Sequence, residues 1–496
     1  MPHNAPKAAR GLPLAALLVA GCAARAVVPR VAPELASLAA SLDSALANPA
    51  FARSSWGVVV ESADSGQVLY RRNAARLFLP ASNLKLVTAA AGLARLGPDF
   101  RWRTTVLARG PLVNGTLLGD LLVVGRGDPT FAVDATGDST DMLRALRPWA
   151  DSLAARGVRV IRGRVSGDGS AFPGAPLGRG WAWDDLAADY AAPVGALQFN
   201  ESVAWIEVVP GPTPGSAATL TLVPREAPLR VSGAVTTAPQ DSSTDSLTWN
   251  RTPFGDSVAV AGRLSAGHAM VRITVSLPDP TRYFDAALTQ TLEEGGVPVF
   301  GAATTADAPP DTLFTWQSPP LSQVLPLFLK PSQNQIAETL LRTLGLEVKG
   351  AGSADSGRAV VRDVLTAFGV AGDAYVLADG SGLSRYNEVT PEAIADILVA
   401  MYHRPDFGVF LDALPVAGVD GTLAKRLVDT PAAGNAHAKT GSMNGVRTLS
   451  GYVRTAAGET LVFVLFANSL TAPRRVVEAT QDRIVARLAG FRRTGP

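Results

Sequence analysis

Leu35, Leu38, Leu42 and Leu46 recur at three- and four-residue intervals within Pro33–Ala47, the spacing of one helical face. The period then changes to two. Trp56–Glu61 and Gln67–Arg71 flank the turn Ala63-Asp64-Ser65-Gly66 and predict a hairpin. Helical spacing returns with Leu84, Val87, Leu93 and Leu96, and Gly97-Pro98 marks its end. From Phe100 the pattern predicts strands over Arg101–Arg109 and Thr116–Val124, a helix near Thr140–Arg156 and a strand over Val158–Val165. Val203 to Gly267 is rich in Thr, Ser, Gly and Pro with short alternating runs, which predicts a small β module. A strand at Val271–Leu277, a helix at Tyr283–Glu294 and a strand at Val297–Phe300 read as a return to the preceding unit. From about Leu313 helices prevail, at Leu321–Leu329, Asn334–Leu344, Ser353–Phe368 and Pro391–Tyr402. Strands are expected again at His437–Gly441, Val446–Thr455 and Thr460–Ala467, followed by a helix from Pro473 to Leu488.

These elements predict an α/β (α+β) protein whose first hairpin and last strands share one antiparallel sheet sandwiched by helices. That domain is expected from residues 33–99 and 313–496, an α/β insert from 100–202 and 268–312, and a β-rich domain nested in the insert from 203–267. The chain has 496 residues, 47% hydrophobic and 18% charged, enough for a large core and too apolar for disorder.

The formal net charge is +2 and arginines are scattered along the chain, so nothing asks for nucleic acid or another acidic polymer. Lysine is scarce: Lys7, Lys85, Lys330, Lys349, Lys425 and Lys439 are the six among 45 basic residues. Arginine cannot give up its proton, so such a chain keeps lysine mainly where a neutral amine is wanted, although a GC-rich genome leaves the same mark. Residues 1–21 read as an export signal, with Lys7 and Arg10 ahead of the apolar run Gly11–Ala20, too short to span a bilayer. The run ends in Val19-Ala20-Gly21-Cys22, which looks like a lipobox, and Cys22 is the only cysteine. Lipidation at Cys22 is expected, with 22–32 as a spacer; ordinary cleavage near Ala23–Ala24 is the alternative.

Candidate chemistry begins at Pro80-Ala-Ser-Asn-Leu-Lys85. Ser82 and Lys85 stand three apart at the head of a helix, neighbours at about 5–6 Å between Cβ atoms. A serine hydroxyl becomes a nucleophile when a base takes its proton, and lysine is such a base where its surroundings keep it neutral. Lowering a lysine from ~10.4 to near neutrality takes ~4 kcal/mol, which burial and a second cation can supply. Alone, the triplet is better explained by a Ser82-capped helix beside a solvated lysine. Two more short motifs follow: Ser332-Gln333-Asn334 opens a helix after Lys330-Pro331, and Lys439-Thr440-Gly441 opens the last strands. Ser332 has a plain reading as a helix cap and Lys439 as an edge-strand charge. Three motifs in this order, two with lysine, go beyond those readings.

The order S-x-x-K, S-x-N, K-T-G resembles that of the penicillin-interacting serine enzymes. The roughly 250 positions between Ser82 and Ser332 are similar to the long insertion of class C low-molecular-mass penicillin-binding proteins, the D-alanyl-D-alanine carboxypeptidase/endopeptidase family. Leu96-Gly-Pro-Asp-Phe-Arg101, Gly127-Asp-Pro129, Gly180-Trp-Ala-Trp-Asp184, Asp379-Gly-Ser-Gly-Leu-Ser-Arg385 and Gly418-Val-Asp-Gly-Thr422 resemble strings typical of that family. The resemblance implies a penicillin-binding-protein/serine β-lactamase-like transpeptidase domain with two nested insert domains. It implies acyl transfer on peptidoglycan stem peptides, no metal or cofactor, and β-lactams as covalent inhibitors. By the family's pattern Ser82 attacks the carbonyl between two D-alanines and Lys85 accepts its proton. Ser332 relays a proton toward the leaving amine, and Asn334 holds Lys85 and the substrate amide. Lys439 and Thr440 bind the terminal carboxylate, and the charge of Lys439 helps to keep Lys85 neutral. Gly441 leaves room for the substrate backbone, and the N–H groups of Ser82 and Ser442 form an oxyanion hole. The resemblance also implies a side-chain pocket from Asp168, Phe172 and Arg385, with Met443 or Asn444 nearby, suited to a diamino acid such as diaminopimelate.

A histidine-dependent serine hydrolase fits poorly: the histidines are His3, His268, His403 and His437, there is no G-x-S-x-G elbow, and His437 reads as structural. A β-lactamase shares the three motifs but lacks the insertion. A wall-binding scaffold without catalysis is disfavoured by the intact motifs. The expected location is the periplasm or cell envelope, with a lipid anchor in a membrane.

Overall fold

The computed structural model describes residues 32–132, 141–240, 245–301 and 309–493; the expected export signal and Cys22 lie outside them. Five antiparallel strands form the central sheet, in the order His437–Met443, Val446–Arg454, Thr460–Asn468, Ser55–Ser62, Val68–Arg72. Ser55 stands opposite Asn468 and Ser62 opposite Leu461, so the sheet closes across nearly the whole sequence. Thr460–Asn468 is covered on both faces, and its run from Leu461 to Ala467 is apolar without alternation. One face, with Trp56, Val58, Val60, Leu449 and Phe463, packs against helices Pro33–Leu46 and Arg474–Ala489. The other, with Val59, Tyr452, Val464 and Phe466, packs against helices Leu84–Leu96, Leu321–Leu329, Asn334–Lys349, Ala354–Ala367 and Pro391–Tyr402.

The segment between residues 100 and 320 forms two further cores. A four-stranded sheet, in the order Asp311–Gln317, Arg103–Arg109, Asp120–Val124, Val165–Asp168, packs on helices Arg147–Ala155 and Pro280–Glu294. Trp149 is its hub, with Phe131, Phe284 and Phe314 edge-on at 5.4, 5.7 and 5.6 Å. Trp149→Ala is expected to remove ~3–5 kcal/mol of local stability, read as faster amide hydrogen exchange in these strands and not in the central sheet. Beyond it, two three-stranded sheets face each other across Ile206, Val208, Val235, Val258, Val260, Ile273 and Val275.

Several boundaries differ from those the pattern predicts. Asp311–Gln317 pairs with Arg103–Arg109, so residues 313–317 lie in the insert's sheet and not with the central one. Val271–Ser276 pairs with Val203–Val209, which carries the β module past residue 267. Val158–Val165 is two strands, Val160–Ile161 and Val165–Asp168, in different sheets. The break falls at Gly163, where a Cβ would lie 2.4 Å from the Gly119 carbonyl. Thr116–Val124 likewise divides into Thr116–Leu117 and Asp120–Val124, and Val297–Phe300 makes a single bridge, Val299 to Ile161. Alternation reports a strand's faces, not its neighbours or its breaks, and over Asp311–Gln317 the pattern predicts no strand at all.

Candidate active site

Pro80–Asn83 is held by the sheet. The Leu79 N–H donates to Asn468 Oδ1 at 2.8 Å, Thr448 Oγ1 to the Pro80 carbonyl at 2.8 Å, and Asn83 Nδ2 to the Lys439 carbonyl at 2.9 Å. Ala81, at φ 46°, turns the chain into one 3-10 turn that carries Ser82 to the start of helix Leu84–Leu96. Gly441 lies against this turn: a Cβ there would come 2.1 Å from Thr448 Oγ1 and 3.0 Å from the Ser82 nitrogen. The missing side chain of Gly441 is thus what lets the Ser82 segment lie against its strand, while Gly441 also lines the cleft described below.

Lys85 is fully buried, and its Nζ lies 2.9 Å from Ser82 Oγ, 2.5 Å from Asn334 Oδ1 and 2.9 Å from the Ser381 carbonyl. Burial brings its pKa down to about 7, against the upward pull of the Asp379 and Glu338 carboxylates. Lys439 is equally buried and donates to the Thr440 carbonyl at 2.9 Å; burial first, and then Lys85, hold it well below the ordinary lysine range. Desolvation, more than the charge of Lys439, is what keeps Lys85 near neutrality.

The plain readings of the three motifs do not survive this geometry. Ser82 caps no helix, since the cap position of Leu84–Leu96 is Asn83. Nor does Ser332 cap the next, because the Gln333 side chain accepts the Gln335 N–H at 2.9 Å. Neither lysine reaches solvent. Ser332 itself sits at φ 70°, a left-handed conformation that costs a non-glycine residue energy and that the surrounding structure must impose. Asn334 faces Lys85 with its oxygen and donates from Nδ2 to the Tyr190 carbonyl at 2.7 Å, so its amide is committed to the protein at both ends. His437 is turned away, its Nδ1 3.2 Å from the Leu411 carbonyl.

The loop from Ala378 to Asn387 brings the Ser381 carbonyl to Lys85. Asp379, buried within it, accepts from the Gly382 and Ser384 N–H groups, Asn387 Nδ2 and Trp181 Nε1 at 2.9, 2.6, 2.7 and 3.0 Å. Gly382, at φ 85°, lets the loop touch the Ser82 turn, where a Cβ would come 1.9 Å from the Ala81 carbonyl.

A cleft of about 610 Å³ opens above this cluster, lined by Ser82, Ser332, Asn334, Arg385 and the edge-strand residues Thr440 to Asn444. Lys85 and Lys439 lie beneath it. Thr440 Oγ1 donates to Thr422 Oγ1 at 2.7 Å, and Arg385 Nη2 donates to the Asn444 carbonyl at 3.2 Å. Asp168 and Phe172 are not brought to this lining. Asp168 Oδ1 accepts the Ser170 N–H at 2.8 Å in a local turn, and Phe172 packs with Val194, Ala196 and Leu346. The lining instead includes Asp184, Asp185 and Tyr190; sequence reasoning singles out Asp184 only as the end of the tryptophan-rich string and gives none of the three a role. Ser381 contributes only a carbonyl, and no side-chain pattern announces that. Among the described residues, no group of three or more His, Cys, Asp or Glu is arranged to hold a metal ion.

The profile of the D-Ala-D-Ala carboxypeptidase 3 (S13) family matches residues 38–490. The D-alanyl-D-alanine carboxypeptidase of Actinomadura sp. (strain R39) is 35% identical over 473 residues, covering 92% of this chain and 85% of that protein. The D-alanyl-D-alanine carboxypeptidase DacB of Haemophilus influenzae is 29% identical over 426 residues, covering 83% and 85%. The crystal structure of penicillin binding protein 4 (dacB) from Haemophilus influenzae superposes with a TM-score of 0.74 at 27% identity, over 90% of this chain and 98% of that one. The same protein complexed with a β-lactam superposes at 0.70 and 26% identity.

Proposed function

The chain belongs to the D-Ala-D-Ala carboxypeptidase 3 (S13) family, and we propose that it hydrolyses D-Ala-D-Ala bonds and crosslinks of peptidoglycan stem peptides through an acyl-enzyme on Ser82. One observation carries this reading: a buried amine with a pKa of about 7, 2.9 Å from the Ser82 hydroxyl. With its two hydrogens directed at Asn334 and the Ser381 carbonyl, neutral Lys85 turns its lone pair to Ser82, takes the hydroxyl proton, and Ser82 Oγ attacks the carbonyl. The N–H groups of Ser82 and Ser442 stabilise the oxyanion, worth about 3–4 kcal/mol for each donor. The proton passes by way of Ser332 to the leaving amine as the C–N bond breaks. Water then attacks the ester, with Lys85 again as base. The leaving carboxylate meets the Thr440 and Thr422 hydroxyls, with the buried Lys439 side chain behind them and not in contact. Arg385, Asp184 and Asp185 all line the cleft and supply the two charge signs that the ends of a zwitterionic side chain call for.

Incubation with purified muropeptides tests the reading: release of D-alanine, cleavage of crosslinked dimers, or both are expected, and no product from either overturns it. Rapid turnover of penicillin would favour a β-lactamase, and absence of covalent labelling a silent scaffold. The acylation rate is expected to rise with pH through about 7, because protonated Lys85 cannot accept the Ser82 proton. A stopped-flow pH profile with a β-lactam reads this limb.

Export and lipid anchoring are part of the proposal. They are supported by the n-region, the short apolar run and Cys22. Among the described residues no helix is long and apolar enough to cross a membrane. Labelled fatty acid should enter the wild type and not Cys22→Ser.

A further inference from the structure

Glu338 is a buried carboxylate that the reaction outlined above does not use. It lies four residues after Asn334 in the same helix and is 4% exposed, so both side chains present the same face to the base. Its Oε1 accepts the Gly380 N–H at 2.9 Å and the Ser381 N–H at 2.7 Å. Ser381 is the residue whose carbonyl receives Lys85 Nζ, while Thr88 Oγ1 fixes the Gly380 carbonyl at 2.6 Å. One side chain therefore holds the peptide units that aim an acceptor at the amine.

We propose that Glu338 is a positioning residue for the base: its carboxylate fixes the Ser381 carbonyl on Lys85 and supplies the buried negative charge against which that amine gains and loses its proton. The proposal rests on the reading of Lys85 as the proton acceptor.

The groups facing this carboxylate come from every element packed around it. Lys85 comes from helix Leu84–Leu96, Asp379 from the loop and Arg342 from Glu338's own helix; Lys439, from the edge strand, bears on Lys85 and not on Glu338. Arg358, from Ala354–Ala367, donates to the Ala378 carbonyl at 3.0 Å and bears on Arg342. One amine, Lys85, thus shares a buried region with two carboxylates, Glu338 and Asp379. Burial and then Asp379 raise the Glu338 carboxyl, whereas its bonds to Ser381 and Gly380 lower it. Glu338 in turn pulls Lys85 upward, opposing the desolvation that lowers it. A base is most useful with its pKa near the working pH, and a carboxylate at this place keeps a desolvated lysine from falling beneath that range.

The sign of the effect follows. Removing the charge disfavours the ammonium form, so Lys85 stays neutral to lower pH and becomes a weaker base. Glu338→Gln has nearly the same shape and retains an oxygen to accept both N–H groups, so it isolates charge from geometry. In β-lactam acylation its acidic limb is expected to move down by about one pH unit and its plateau rate to fall about tenfold, with thermal unfolding little changed. A limb at the wild-type position overturns the proposal, whatever happens to the plateau. Should that variant not fold, the wild type labelled with ¹³Cε-lysine decides, because six lysines give few resonances. The Lys85 signal is expected to show a second inflection as Glu338 titrates, and a single inflection overturns the proposal. A wild type that takes up no β-lactam at Ser82 would instead overturn the acyl-enzyme reading.

Discussion

Ser82→Ala is expected to abolish covalent labelling by a fluorescent penicillin and to lower D-alanine release by on the order of 10⁴- to 10⁶-fold. The hydroxyl's hydrogen bond is to Lys85, and it caps no helix, so its removal leaves the fold intact. Thermal unfolding should therefore stay within a few degrees of the wild type, which separates lost chemistry from lost structure. Gel fluorescence after exposure to the labelled drug checks the first expectation and mass analysis of muropeptides the second. Persistent labelling at any other residue would remove Ser82 from the mechanism.

Lys85→Arg tests the other half of the pair with the charge retained. Arginine has donors for the Asn334 oxygen and the Ser381 carbonyl, and two carboxylates, Glu338 and Asp379, act on that position, yet it cannot lose its proton. The expected loss in acylation rate is about 10²- to 10⁴-fold, the usual worth of a positioned general base. The pH profile carries more information than the size. The wild type recovers as pH rises through about 7, whereas the variant should stay low on both sides of it. A variant that keeps the wild-type limb would place the base elsewhere.

Much of this site was legible because it is written in side chains. Ser82, Lys85, Asn334 and Lys439 announce themselves by residue type and spacing, and the scarcity of lysine sharpened the two that matter. The helices around them and the central strands follow from periods long enough to count. What escaped has a common cause. The Ser381 carbonyl and the N–H groups of Gly380 are backbone, and any residue would supply them. Glu338 reads as an ordinary polar position until its burial is known. Asp168 and Phe172 carried the right residue types, but local partners hold them away from the cleft: a turn N–H for one, a small apolar cluster for the other. Val271–Ser276, predicted as a strand but with the wrong neighbours, and Asp311–Gln317, not predicted as a strand at all, show the same limit, because pairing partners distant in sequence leave no mark on either strand alone.

The strand that sets Ser55 opposite Asn468 also decides when this protein can begin to act. Leu79 is tied to Asn468 and Pro80 to Thr448, both from strands synthesised long after the serine. Until those strands are laid in, the serine has a helix behind it but no floor beneath it, and its lysine no dry place to shed a proton. A nascent or prematurely clipped chain is therefore harmless to the polymer it is meant to cut. Competence waits on a pairing that joins segments some four hundred residues apart.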